Sequence, residues 1–520
     1  MPVAHERIAV LDFGSQYTPL IARRLRELGV LAEIFPADVA PDRLAGPALR
    51  GVILSGGPAS VTEPDSPRLA AGLLDLGVPV LGVCYGMQLL NHAGGGTVVP
   101  GTHREYGRAV LQDVSGALFE GVSATPTVWM SHGDRLEALA AGWDVVARTD
   151  NGVIAAMAHR ERPWHAVQFH PEVTHSPEGR TMLSNFVFGV CGCRGDWSVG
   201  AYLEEAIAAV RAQVGSAPVI VLVSGGVDST VTAALLARAL PPEQVFPIHI
   251  DSGLMRAGES AAVEVFLRDA GLVNLRVVHA ADRFFAALAG QSDPEEKRRR
   301  IGDTFIEVQN EAVAALGIDA ETAFLAQGTL YTDLIESGAT GAHTATIKTH
   351  HNVGTPLVRA KREAGRIVEP CGGIFKDEVR ALGMLLGLPR ELVMRHPFPG
   401  PGIGIRVLGE VTPERAEMVR QADAIYLEEI RRANLYDAIW QAFAALLPVR
   451  AVGVQGDGRT EGAVIALRAV DSVDGMTADF HPVPFEVLGR AAARIANEVR
   501  GVNRVVFDVT SKPPATIEWE

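Results

Sequence analysis

No apolar run in this chain reaches the roughly 18 residues of a membrane-spanning helix, so no membrane partner is expected. An excess of positive charge is missing too: 47 Lys and Arg face 61 Asp and Glu, a net charge of −14. General nucleic-acid binding, which needs a basic face, is therefore not expected. A nucleotide substrate stays open, because a few local Arg and Lys residues suffice for it. Cysteine is scarce, with Cys84, Cys191, Cys193 and Cys371 alone in 520 residues. Disulfide frameworks are dense and belong to short chains, so a reducing cytoplasm is expected. Cys191-Gly-Cys193 has no second Cys/His pair at zinc spacing nearby, which leaves two thiols at a domain end. A strand pattern begins at residues 8–11, so no signal peptide is expected ahead of it.

The length implies about three domains, and 48% hydrophobic with 21% charged residues is ordinary for a globular protein. The stretch around which the rest is arranged is Ser224-Gly225-Gly226-Val227-Asp228-Ser229, between an apolar strand pattern at residues 219–223 and an amphipathic segment at 230–240. A strand, a glycine turn and a helix aim backbone N–H groups and a helix N-terminus at one point, which suits a phosphate. The Lys-Ser/Thr that closes the common P-loop is absent. An Asp stands in the turn instead, and beside phosphates an acidic group makes sense as a Mg²⁺ ligand. The plain alternative is a packing turn.

Residues 1–195 alternate short apolar strands (8–11, 51–54, 78–81) with helical patterns, which implies an α/β domain with a parallel sheet. Gly82-x-Cys84-x-Gly86 follows the third strand and has the form of a nucleophile elbow carrying Cys. The helix N-terminus behind Cys84 favours the thiolate, though a small buried Cys in a packing turn would look the same. In Gln168-Phe169-His170-Pro171-Glu172, positions i and i+2 share a face at a strand end. Glu172 can then orient His170, and His170 can serve Cys84 as base and acid.

The middle segment, residues 205–395, repeats the strand–helix alternation, with strands expected at 245–250 and 275–279. Asp251 ends the first of these, where such units meet ribose or base. Lys297-Arg298-Arg299-Arg300 is either a solvated helix face or an anion site. A Gly/Ala/Thr-rich stretch up to Thr346 precedes Lys348 and His350-His351, as in a mobile lid whose Lys348 could neutralise developing charge. Residues 396–520 open on a Pro/Gly-rich crossing and continue as an α+β domain with strands at 449–454, 463–467 and 504–508. Their end, Lys512-Pro-Pro-Ala-Thr-Ile-Glu518-Trp-Glu520, carries a buried-type Trp and is expected to dock rather than fray.

Three resemblances gather these residues. Cys84, His170 and Glu172, with Ser55-Gly-Gly-Pro58 ahead of them, resemble the class I glutamine amidotransferase domain. That likeness implies ammonia release from glutamine, an oxyanion hole at Gly57 and Tyr85, and a glutamine pocket lined by Gln88, His132, Gly133 and Asp134. Ser224, Gly225, Gly226, Val227, Asp228, Ser229 and Thr230 resemble the pyrophosphate loop of the N-type ATP pyrophosphatases, of adenine-nucleotide α-hydrolase-like fold. It implies ATP with Mg²⁺, Asp228 holding the metal. The order of both domains, with Gly-Val-Gln-Gly-Asp457 and the Lys512-to-Glu520 tail, is similar over essentially the whole chain to the glutamine-hydrolysing GMP synthetase family.

This last likeness implies a cytoplasmic ligase of purine biosynthesis. XMP is adenylated, ammonia displaces AMP, Arg298, Asp457, Lys512 and Glu518 contact XMP, and the C-terminal domain forms a homodimer. Rival readings are another amide-transferring ligase with the same ATP loop, which should lack the tail, and a nucleotide sensor, which should lack a triad member.

Overall fold

The computed structural model describes residues 5–319, 321–336, 356–455, 458–472 and 477–520. By their contacts they fall into two compact units, one within residues 1–205 and 331–350, the other within 206–330 and 351–520.

The first unit is built on a nine-stranded sheet. Five strands run parallel in the order Leu31–Pro36, Arg7–Asp12, Leu49–Leu54, Val80–Val83, Trp164–Val167. Ile8, Ala9, Val10 and Leu11 have no exposed surface, as expected for strands covered on both faces. Beyond Trp164–Val167 the sheet turns antiparallel through Ile154–His159, Trp143–Thr149, Thr97–Gln112 and Thr127–Ala138. The expectation of a parallel sheet thus covers half of it. Thr127–Ala138 alternates half-buried and buried positions over its first six residues and ends on two exposed ones, so it has none of the apolar runs that mark the parallel strands. Leu31–Pro36, with Glu33 and Pro36 among its residues, escapes detection for the same reason. The short helix Tyr331–Glu336 belongs with this unit: the Tyr331 hydroxyl accepts from the Ile34 N–H, and the Arg26 guanidinium lies 5.0 Å from its ring.

The second unit contains a parallel sheet ordered Arg276–His279, Val245–Asp251, Val219–Leu222, Phe324–Ala326, Ile367–Val368. Its central strand feeds the helix Val227–Ala239, which begins inside the glycine motif rather than after it. Near the C-terminus the strands at 449–454 and 463–467 are longer than expected, Gln441–Gln455 and Gly458–Asp471, paired as one hairpin. Val502–Asp508 joins it in parallel. The helices Pro413–Arg432 and Phe485–Glu498 pack on this sheet through Ala416, Val419, Ala422, Tyr426, Val487, Ala491 and Ile495, all buried. One apolar core runs without a break from Ile220 and Ile248 to Ile465 and Val502.

Candidate active sites

Cys84 follows the strand Val80–Val83 and precedes the helix Tyr85–Ala93 with φ +52° and ψ −103°. A non-glycine residue there stores about 1–3 kcal/mol of strain, which persists because the surroundings over-determine it. The Cys84 N–H donates to Val167 O at 2.8 Å and the Gly86 N–H to Ser55 O at 3.1 Å. A Cβ on Gly86 would stand 2.4 Å from Leu54 O, so the helix can start this close to the sheet with glycine alone. The thiol is almost fully buried.

His170 and Glu172 lie just beyond the neighbouring strand, with His170 Nδ1 2.6 Å from Glu172 Oε1 and both side chains buried. Burial alone would lower the His170 value, but the Glu172 carboxylate and hydrogen bonds to Cys84 and Glu172 outweigh it and hold it well above the ordinary range. An imidazole so placed is favoured in its protonated form, which is the partner that a thiolate nucleophile needs. Ser176 Oγ donates to His170 O and Arg24 Nε to Glu172 O, fixing the turn from outside.

The residues expected for the oxyanion hole and glutamine pocket gather around this sulfur. A Cβ built on Gly56 would lie 3.1 Å from His170 Cε1 and 3.6 Å from Cys84 Cβ, so Gly56 lies against these two residues, while a Cβ on Gly57 would stand 2.5 Å from Phe13 O. Tyr85 begins the helix behind Cys84, its hydroxyl donating to Pro67 O. Ser131 O is 3.9 Å from Cys84 Sγ, and the Asp134 carbonyl meets both Gln88 Nε2 at 3.2 Å and His132 Nδ1 at 2.8 Å. Gly133 lies between them on the same strand. Asp134 therefore enters through its main chain. Gln168, which no expectation singled out, puts its side-chain Nε2 3.6 Å from the sulfur.

In the second unit the glycine loop is tied by its own hydroxyls. Ser224 Oγ and Ser229 Oγ are 3.1 Å apart, Gly226 N–H donates to Ser224 Oγ, and Thr230 Oγ1 donates to Gly226 O. Gly225 has φ +81°, and its carbonyl accepts from Arg395, which also pairs with Glu259. Asp228, in the first helical turn, meets the Lys376 ammonium at 2.6 Å. Lys376 and Arg395 carried no signal in the sequence, since each reaches the loop from far along the chain. Asp251 accepts from the Gly253 N–H within its own turn.

The basic run divides. Arg299 and Arg300 pair with Glu296 on the helix surface. Lys297, wholly buried, donates to the carbonyls of Val407 and Gly409 and meets the Glu520 carboxylate. Arg298 donates to the Glu520 main-chain oxygen. Burial lowers the Lys297 value, and Glu520 opposes that shift.

The tail docks, though not through its aromatic ring: Trp519 is 37% exposed. It is held instead by buried Ile517, by fully buried Arg468 donating to Thr516 O and Ile517 O, and by Glu518. The Glu518 carboxylate accepts from Arg406 at 2.9 Å and Gln441 at 2.7 Å. Lys512 is fixed by main-chain bonds to Ala478. Arg256, Arg395 and Arg406 all stand over Phe398 of the Pro/Gly-rich crossing, at 4.9, 6.0 and 5.0 Å. Lys348 and Asp457 lie outside the described residues.

Comparison with known proteins follows this layout. The family model "Glutamine amidotransferase class-I" matches residues 9–190, "Asparagine synthase" residues 201–290, and "GMP synthase C terminal domain" residues 428–519. The chain is 53% identical to a "GMP synthase [glutamine-hydrolyzing]" of Phenylobacterium zucineum, 50% to one of Wolinella succinogenes and 53% to one of Rhizobium johnstonii, in each case over 99% of both chains. The match at 428–519 falls in the C-terminal third that separates this chain from other amide-transferring ligases.

Proposed function

The chain belongs to the family of glutamine-hydrolysing GMP synthases, and from that premise we propose how its own residues divide the reaction. It is a ligase that makes GMP from XMP with glutamine as nitrogen donor and ATP as the energy source.

The assignment of residues to the glutaminase rests on one observation above others, the buried His170 imidazole held by Glu172 at 2.6 Å, its positive charge favoured by Glu172 and by the neighbouring Cys84. Cys84 attacks the side-chain amide carbon of glutamine, and the oxyanion accepts from the Gly57 and Tyr85 N–H groups. His170 passes its proton to the departing ammonia, then takes one from the water that hydrolyses the thioester. Gln88, His132, Gly133 and Asp134 line the glutamine pocket.

At the second centre the XMP C2 oxygen attacks the α-phosphorus of ATP, and pyrophosphate departs into the loop Ser224, Gly225, Gly226, Val227, Asp228, Ser229, Thr230. Ammonia then attacks C2 and AMP leaves. A cation suits Asp228, whose carboxylate already faces the ammonium of Lys376. Among the described residues no three His, Cys, Asp or Glu side chains cluster as a metal cage. Mg²⁺ therefore fits as a companion of the ATP phosphates held by Asp228, where it would neutralise charge on the leaving pyrophosphate. Lys348 serves as a lid cation.

XMP is bound by Arg298, Asp457, Lys512 and Glu518; docking of the tail beside Arg298 supports this. We retain 1–195, 205–395 and 396–520 as the functional division. Homodimerisation through the last of these is supported by Val452 and Val454, exposed on one face of the long hairpin. Four free thiols support a cytoplasmic location. XMP-dependent release of AMP and pyrophosphate, with GMP formed from either glutamine or ammonium, tests the whole. Equal release with another acceptor would overturn it.

A further inference from the structure

The sulfur of Cys84 has a neighbour for which the triad does not account. Gln168 lies two residues before His170 and has no exposed surface. Its main-chain N–H donates to Ala155 O at 2.8 Å, which fixes its backbone on the sheet. Its side-chain Nε2 is 3.6 Å from Cys84 Sγ, within range of an N–H···S bond, and its Oε1 is 3.3 Å from Gln88 Nε2.

The orientation of these two amides is determined by a group that cannot donate. Gln88 Nε2 is also 3.2 Å from the Asp134 carbonyl, so the Gln88 atom in that corner must be the NH₂. The Gln168 atom facing the same NH₂ must then be the oxygen. That turns the Gln168 NH₂ to the sulfur. The other main-chain group near the sulfur, Ser131 O at 3.9 Å, is an acceptor and can serve the protonated thiol alone.

We propose that Gln168 is a thiolate-stabilising residue of the glutaminase, its amide donating to the Cys84 sulfur and aimed there by the Gln88–Asp134 ladder. The proposal rests on Cys84 being the nucleophile. A buried anion needs donors, and His170 supplies one; Gln168 supplies a second that carries no charge and loses no proton during turnover. The donor acts twice. It stabilises the thiolate before attack, and stabilises the same thiolate as leaving group when the thioester is hydrolysed. Between the two, the sulfur is a neutral thioester and the bond weakens; as the thioester breaks, charge returns to the sulfur and the donor's help grows toward that transition state.

The test is the pH dependence of iodoacetamide alkylation of the Cys84 peptide, followed by mass spectrometry in the full-length protein. Gln168→Met keeps the side-chain length and removes the donor. Gln88→Met keeps Gln168 and frees its amide to turn. The alkylation midpoint should move up by roughly one pH unit in Gln168→Met and by less in Gln88→Met, with the plateau rate at high pH unchanged. Glutamine hydrolysis in Gln168→Met should fall about tenfold in kcat with KM little altered.

A profile that superimposes on wild type, while Cys84→Ala is inactive on glutamine, overturns the role of Gln168 alone. Glutamine hydrolysis by Cys84→Ala would instead overturn the nucleophile assignment. If Gln168→Met does not fold, Gln88→Met decides, and an unchanged midpoint there overturns the proposal.

Discussion

The Lys376 ammonium stands 2.6 Å from both carboxylate oxygens of Asp228, although 148 positions separate the two residues. Asp228 is in the first turn of its helix and Lys376 is the first residue of another, Lys376–Leu385. Both side chains are partly exposed, so the pair contributes little to stability, at most about 1 kcal/mol. In the proposed reaction its value lies in what it presents to a phosphate. Asp228→Asn should cut pyrophosphate release from ATP by about 100-fold or more with either nitrogen source. Lys376→Met should cut it by about 10-fold, in each case with little change in melting temperature. Normal turnover in Asp228→Asn would remove that carboxylate from the reaction.

Cys84→Ala should abolish GMP formation from glutamine and leave formation from added ammonium. On the proposed assignment the thiol serves the glutaminase alone, and relief of the φ +52° strain at residue 84 is small for alanine, which also prefers negative φ. Parallel loss of both activities, measured as GMP produced, would contradict a division into two centres.

Gly179 opens the helix Gly179–Ser184, and a Cβ there would lie 1.9 Å from the carbonyl oxygen of Pro171. Because Pro171 sits between His170 and Glu172, Gly179→Ala must push on the turn that carries both. A loss of about 1–3 kcal/mol in stability is expected, with glutamine hydrolysis falling further than ammonium-dependent synthesis. Equal activity ratios in mutant and wild type would show that the turn does not transmit the push.

His396 is buried, stacked on Tyr436 at 3.9 Å, and bonded at both nitrogens. Nε2–H donates to Tyr436 O at 2.8 Å and Nδ1 accepts from Ala442 N–H at 3.1 Å, which leaves no place for a second proton. Burial, joined by the charges of Arg256 and Arg431 and opposed by the Tyr436 carbonyl, pushes its value down to about 4. Its contribution is present above the ordinary value near 6.5 and is lost as pH falls toward 4, up to about 3 kcal/mol. Melting temperature should therefore fall more steeply over that window in wild type than in His396→Phe. Parallel curves would mean that His396 does not titrate there.

The parts of both centres that were legible in the sequence are those whose chemistry is closed within a few residues. The motif from Ser224 to Thr230, the elbow Gly82-x-Cys84-x-Gly86 and the pair His170-x-Glu172 declare themselves because a turn, a helix start or the two-residue repeat of a strand places their groups together. The tail was legible as a docked segment, but its anchor was not: Ile517, Glu518 and Glu520 are held while Trp519 stays exposed. Aromatic size is a weak guide where buried arginines offer better partners to carboxylates and carbonyls.

What the chain order alone determined is the pair of reactions to expect, since the candidate nucleophile and the candidate phosphate cradle are local backbone geometries written in glycines and one reactive side chain. What tertiary structure alone decided is which distant polar group answers each of them. Lys376 faces Asp228, Arg395 holds Gly225, Arg406 meets Glu518, and Gln168 reaches Cys84 under the direction of Gln88 and Asp134. Single polar side chains have no period along the sequence. Their pairing is set by the folding of apolar strands and helices that bring them together, and by the cost of leaving any of them buried without a partner.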